Sequence, residues 1–340
     1  MIGSTRKVIP TTKFVINDVQ LEFVSRYKYL GLYMSYNGSF QYAQEHLTER
    51  ATKAWFSIRN GLYNQKVWPV DIYIKSFETV IKPIMLYGCE IWGLNIINTK
   101  GSNKYKMPKF DLAMPCERLH IRVCKQILRV PKKATNIAVL AELGRLPMYC
   151  EVFSAVTKYY VRLEGMSNNS LLHKMYNISK TQNNRICKIM TYLEQNLNYT
   201  PDIIDFKKKE STGAYIKHMR KYTRFYFENN FFSFMRSDIN RKLCTYNHFK
   251  QKYHSEPYLN YITDPSTRKE VTRFRISAHS LRIETGRYKK LDRDKRICLM
   301  CNSGDVEDEF HFIIKCQAYL DIRNKYLQPI LEWLQYLQNE

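Results

Sequence analysis

Cys298, Cys301, His311 and Cys316 follow the spacing C-x2-C-x9-H-x4-C, all within nineteen residues. Three thiols and one imidazole make a ligand set for a closed tetrahedral metal site, and the C-x-x-C pair is the tight turn on which such sites are commonly built. Thiolate and neutral imidazole suit the borderline-soft zinc ion, and a metal that gathers them contributes folding free energy. No second C-x-x-C occurs in the chain. The spacing predicts a structural zinc with no open catalytic position; the alternative is scattered core cysteines beside a hydrogen-bonded histidine. The polar stretch from Asn302 to Glu309 can loop between the cysteine turn and the element carrying His311, with Phe310, Phe312, Ile313 and Ile314 supplying apolar cover. Glu307 and Glu309 either orient a ligand or are solvated loop acids.

The elements that must position this site are mostly helical. From Lys13 to Met34 two alternating bursts, with turn residues Asn17-Asp18 between them and Asn37-Gly38 after, predict short strands joined by tight turns. Beyond Gly38 the apolar residues Phe40, Ala43, Leu47, Ala51, Ala54, Trp55, Ile58 and Leu62 recur at three and four, the period of a long amphipathic helix. Pro69 suits the start of a second helix, running through Ile72, Phe77, Val80, Ile81 and Met85 and kinked or ended near Pro83. Asn98 to Pro108 is polar and glycine-containing, the best linker. Helical periodicity resumes over Cys116 to Leu128, Ile137 to Leu143, Tyr149 to Leu163 and Arg185 to Leu197, and the tail from Tyr319 to Leu337 looks like one helix interrupted near Pro329. The expected fold is mainly α, with a small N-terminal β hairpin, a helical middle and the C-terminal Cys-Cys-His-Cys knuckle.

Composition bounds the function. The 340-residue chain is 44% hydrophobic, enough to build cores, and carries 54 Lys and Arg against 31 Asp and Glu, a net charge of +23. Such an excess implies an anionic partner, and nucleic acid is the commonest large one. Richness in Lys, Asn, Tyr and Ile also fits an A/T-rich coding sequence, which accounts for part of the excess. Residues 201–300 hold 23 Lys and Arg against 11 Asp and Glu, so the charge is concentrated there. Within that stretch Tyr222, Phe225, Tyr226, Phe227, Phe231, Phe232 and Phe234 interleave with Arg220, Lys221, Arg224 and Arg236; a helical aromatic stripe is foremost a core face and secondarily a base-stacking surface. No stretch has the length and apolarity of a membrane span, no secretory signal is visible, and nine unevenly spread cysteines do not form a disulfide framework. A reducing compartment, nucleus or cytoplasm, is expected, with no membrane partner.

Four blocks, in order along the chain, resemble the C-terminal region of the endonuclease and reverse transcriptase polyprotein of non-LTR (LINE-type) retrotransposons. Tyr27-Lys28-Tyr29-Leu30-Gly31, followed by Asn37-Gly38-Ser39-Phe40, is similar to the hairpin at the primer-grip edge of the palm, with Tyr29, Leu30 and Gly31 the primer-grip-like residues. Pro83 to Trp92, reading Pro-Ile-Met-Leu-Tyr-Gly-Cys-Glu-Ile-Trp, is similar to a block of the thumb region. Ala141-Glu142-Leu143-Gly144-Arg145-Leu146-Pro147 resembles a step of the helical linker, and Arg273 to Arg287, leading into the metal ligands, resembles the basic segment ahead of the family's knuckle. The likeness implies five segments: a residual palm edge (1–38), thumb-like helices (39–97), a helical linker (98–200), a basic aromatic helical segment (201–272), and the basic segment with its knuckle (273–340).

The resemblance also implies what to expect and what not to. The family holds two catalytic magnesium ions on carboxylates upstream of the primer grip, including an adjacent Asp-Asp pair; this sequence contains no such pair, so neither a magnesium site nor polymerase activity is expected. The 24 residues after Cys316 are too few for the nuclease that some relatives carry there, and Pro201-Asp202 with Glu210 lacks a nuclease spacing. The expected function is RNA or DNA binding without catalysis, with Arg273, Arg275, Arg282, Arg287, Lys289, Lys290 and Arg296 at phosphates and zinc as a structural cofactor. Alternatives are a reverse-transcriptase fragment acting in trans with a separate palm and a non-functional 5′-truncated element copy.

Overall fold

A computed structural model describes residues 14–63, 68–95, 114–182, 185–196, 208–236 and 242–330. The linker expected at Asn98 to Pro108, the Pro201-Asp202 pair and the tail beyond Ile330 lie outside them. The fold is mainly α. It opens with two antiparallel hairpins where one was expected: β1 (Val15–Ile16) pairs with β2 (Val19–Gln20), and β3 (Arg26–Tyr29) pairs with β4 (Leu32–Ser35). Helices follow as α1 (Gln41–Tyr63), α2 (Val70–Ser76), α3 (Lys82–Met85), α4 (Cys89–Trp92), α5 (Pro115–Ile127), α6 (Asn136–Glu142), α7 (Met148–Glu164), α8 (Leu171–Thr181), α9 (Arg185–Asn196) and α10 (Lys209–Arg236). The C-terminal part carries α11 (Cys244–Phe249), α12 (Tyr258–Tyr261), α13 (Pro265–Arg275), α14 (Arg282–Tyr288) and α15 (Leu320–Tyr326).

These elements form two compact units that are not simple sequence segments. One comprises Met1–Ile127 with Arg145–Asn230, the other Leu128–Gly144 with Phe231–Glu340. The five segments drawn from composition and resemblance follow the chain, whereas these units follow packing.

In the first unit, the three-and-four spacing of α1 buries Ala43, Leu47, Ala51 and Trp55 on one face, and the Trp55 indole N–H donates to Gln126 Oε1 on α5 at 2.7 Å. Pro69 precedes α2, as its missing N–H allows. A π turn over Phe77–Ile81 then joins α2 to α3, which Pro83 enters in its first turn without ending the helical path. The π turn swings Glu78 into an ion pair with Arg145 and Lys82. On α5, fully buried His120 stacks on Phe77 at 5.3 Å, and Glu117 Oε2 accepts the Met148 backbone N–H at 2.6 Å, capping the start of α7.

Two blocks singled out in the sequence meet here. The β3–β4 turn places both Leu30 and Gly31 at positive φ (45° and 87°), as a two-residue hairpin demands. The Tyr87 hydroxyl donates to Leu30 O at 2.7 Å while its ring lies against Gly31. Trp92, on α4, donates in turn to Tyr87 O at 2.9 Å. The Tyr-Leu-Gly turn is thus fastened to the Leu-Tyr-Gly segment.

The second unit is organised around buried charge. Glu142, at the end of α6, is fully buried and accepts from Arg275 Nε at 2.6 Å; Arg275 also donates to Glu256 at 2.7 Å, and Glu256 accepts from buried Lys250 at 2.6 Å. Two acids and two bases balance, which is what permits their removal from water. Gly144 follows at φ 62°, where a side chain is strained, and any Cβ there would collide with the Ser255 backbone. The aromatic stripe of α10 divides: Phe227, in the first unit, and Phe231, in the second, are buried, Phe225 and Phe234 are exposed, and Tyr222, Tyr226 and Phe232 are half-buried.

Candidate metal centre

The second unit builds the Cys/His cluster from two short backbone devices. Cys298 leaves an antiparallel bridge between Ile297 and Val306, its N–H donating to Asp305 O at 2.8 Å, while Glu307 N–H returns to Arg296 O at 2.9 Å. The chain then turns so that Met300 N–H points at Cys298 Sγ at 3.4 Å. His311 opens a π turn, His311–Lys315, whose first N–H is capped by Asp308 Oδ1 at 2.9 Å; Cys316 N–H closes it on His311 O at 2.8 Å. This turn brings the last two ligands back to the first two.

All four ligand atoms lie within 4.8 Å of one another. Cys298 Sγ and Cys316 Sγ are 3.9 Å apart, and Cys301 Sγ is 3.4 Å from His311 Nε2. A tetrahedron with metal–sulfur arms of ~2.3 Å and a metal–nitrogen arm of ~2.0 Å requires sulfur–sulfur edges of about 3.8 Å and sulfur–nitrogen edges of about 3.5 Å. The two observed edges match, so these four residues could hold a metal ion. Cys298, His311 and Cys316 are buried and Cys301 is half-buried, leaving little room for a further ligand.

The electrostatics favour a cation. Hydrogen bonds from the Ser303 hydroxyl and backbone pull the Cys301 thiol down to about 6, whereas burial pushes Cys316 up to about 11. Without a cation the Cys316 thiol keeps its proton at neutral pH; a divalent metal supplies the charge that lets it ionise. His311 presents Nε2 to the cluster, while its buried Nδ1 makes no hydrogen bond and lies 3.6 Å from the Asp305 carboxylate. That carboxylate is placed to orient the ring.

Both knuckle acids are buried and structural. Glu307 accepts the Arg282 backbone N–H at 2.7 Å and lies 3.9 Å from Cys298 Sγ. Glu309 accepts from Thr245 and Ser277 hydroxyls, each at 3.1 Å, and pairs with His279 Nε2 at 2.9 Å. It ties the knuckle to α11 and to the loop after α13. Ser303, Asp305, Asp308, Thr245 and Ser277 were not foreseen as participants; Asp308, three residues before His311, is the only one with a local signal, that of a helix cap.

The basic residues proposed at phosphates divide into two groups. Arg275 lies in the buried ion cluster, and Arg296 gives its Nε and terminal N–H groups to Leu291 O (3.0 and 2.7 Å) and Ile283 O (3.0 Å), closing the loop before the knuckle. The structure commits these two to internal hydrogen bonds instead. Arg273 pairs with exposed Glu270, and Arg287 pairs with Glu284 at 3.0 Å. Arg282 is half-buried, and Lys289 and Lys290 are exposed. Tyr29, Leu30 and Gly31 belong to the first unit. Among the described residues no helix is long and apolar enough to cross a membrane. No protein-family model, curated protein or solved structure matches the chain.

Proposed function

We propose that this chain is a nucleic-acid-binding C-terminal part of a non-LTR retrotransposon reverse transcriptase, one that holds a structural zinc and does not polymerise. The observation that carries the reading is the closed three-sulfur, one-nitrogen cluster folded directly behind a basic segment. Zinc is the metal of choice for such a site because it prefers tetrahedral sulfur and nitrogen ligands and has no redox chemistry of its own. By closing the turns at 298–301 and 311–316, the metal would stiffen the loop that presents Lys289 and Lys290. The pairing of Tyr87 with Leu30 and of Glu142 with Arg275 joins blocks of the resemblance in pairs, which supports reading them as parts of one inherited design. RNA or DNA would be bound through phosphates, with little sequence choice, in the nucleus or cytoplasm.

The test is metal content of the purified chain and of Cys298→Ser, with RNA and DNA binding measured across salt. One zinc per parent chain, lost in the variant, is expected. If Arg273, Arg282, Arg287, Lys289 and Lys290 each meet a phosphate, log K against log salt should fall with a slope of about −3.5 on single strands. A metal-free parent refutes the zinc reading, and a flat salt dependence refutes phosphate binding.

A further inference from the structure

A second strip of surface joins the basic segment from a distant part of the sequence. The turn after Val130, closed by Ala134 N–H on Pro131 O at 2.9 Å, holds Lys132 and Lys133 in solvent between buried Val130 and Ala134. Lys133 Nζ sits over the ring of Tyr288, 4.7 Å from its centroid. Tyr288 is the last residue of α14, a helix anchored by buried Ile283 and Gly286, yet it is itself 53% exposed. Lys289 and Lys290 follow it, both exposed, and Lys290 takes φ 56°, a backbone region that costs a non-glycine residue energy. The result is an exposed aromatic ring with a lysine from a distant segment of the same unit over it and two exposed lysines next to it in sequence.

We infer that Tyr288, with Lys133, Lys289 and Lys290, forms a stacking surface for single-stranded nucleic acid. This rests on the nucleic-acid reading above and adds to it the class of ligand and two residues, Lys133 and Tyr288. The ring, fixed at a helix end and 53% exposed with Lys133 over it, offers its remaining surface to an unstacked base, while the ammonium groups of Lys133, Lys289 and Lys290 are available to the flanking phosphates. Bases inside a duplex are already stacked and cannot use it. Ring stacking ignores the sugar, so RNA and DNA single strands share the chemistry.

The experiment measures binding of the full zinc-loaded chain to single strands of about 16 nucleotides, RNA and DNA separately, and to a duplex of equal length. Tyr288→Ala should weaken single-strand binding about 5- to 150-fold with the salt slope unchanged, and leave duplex binding within about twofold. Tyr288→Phe, which keeps the ring, should bind like the parent. Lys133→Ala should shallow the salt slope by about 0.7. The strand that loses more identifies RNA or DNA as the preferred source. The inference is overturned if Tyr288→Ala binds single strands as the parent does, if it loses duplex and single strand equally, or if Tyr288→Phe fails alongside it. A parent that binds neither strand removes the nucleic-acid reading itself, an outcome distinct from a parent that binds and a Tyr288→Ala variant that binds equally well.

Discussion

Arg275 is where a basic residue's role is most sharply decided by its surroundings. Its guanidinium is only 17% exposed and bridges Glu142, 0% exposed, and Glu256, 11% exposed. Replacing it by Met leaves two buried carboxylates against the single ammonium of Lys250, and removing one partner of a buried pair costs about 3–5 kcal/mol. Amide exchange at Glu256, whose N–H is bonded to Glu142 O at 2.9 Å, reports opening of this unit. Arg275→Met should speed that exchange about 150- to 5,000-fold at neutral pH. The double variant Glu142→Gln, Arg275→Met retains the neutral Lys250–Glu256 pair and should recover most of the loss. Burial already raises the Glu142 carboxyl even though Arg275 opposes it. An acid raised in the folded state stabilises below its unfolded value, about 4.3, and loses that contribution as pH rises through the folded value. The Arg275→Met deficit should therefore shrink as pH falls from 7 toward 5. The reasoning fails if the single variant exchanges within about fivefold of the parent, if the double variant is as unstable as the single, or if the main effect is a shallower salt slope for nucleic acid with stability intact.

Two further substitutions test the frame. Gly144→Ala should destabilise the second unit by at least ~1–2 kcal/mol in urea titrations, because it adds both left-handed strain and a clash with Ser255; a neutral result would mean the 143–145 turn relaxes freely. In the first unit, burial resists ionisation of Glu78, but Arg145 and Lys82 outweigh it and hold its carboxyl below the usual range. Its stabilising contribution is present above the unfolded value of about 4.3 and is lost as pH drops through the lower folded value. Glu78→Gln should flatten that acid limb of the stability curve, and an unchanged limb would place the ion pair in the set of surface contacts that contribute nothing measurable.

What could be seen in the sequence was what is local. The helices α1, α5, α6, α7 and α9 emerge within a residue or two of where their three-and-four periodicity places them, because each buries an aliphatic or aromatic stripe that repeats with the helix. α8 was missed for the converse reason: its buried residues are His173 and Tyr176, while Leu171, Met175 and Ile178 face solvent, so hydrophobicity points away from its packed side. The residues that could hold a metal ion were legible because all four fall within nineteen residues and are of ligand type.

The basic tract was the opposite case, since a charge has no role until its partners are known. Of the cations read as phosphate contacts, Arg273, Arg275, Arg287 and Arg296 all hydrogen-bond within the fold, whereas Lys289 and Lys290 remain in solvent. This division follows from side-chain chemistry: the planar guanidinium has five donors in a fixed fork and serves carboxylates and loop carbonyls well, while the compact, strongly hydrated ammonium loses more when dried. In this segment Arg275 and Arg296 are committed to the fold, whereas Lys289 and Lys290 are exposed cations open to a polyanion. The same reasoning directs attention to Lys133, whose contribution no local pattern announces because its partner, Tyr288, lies far along the chain.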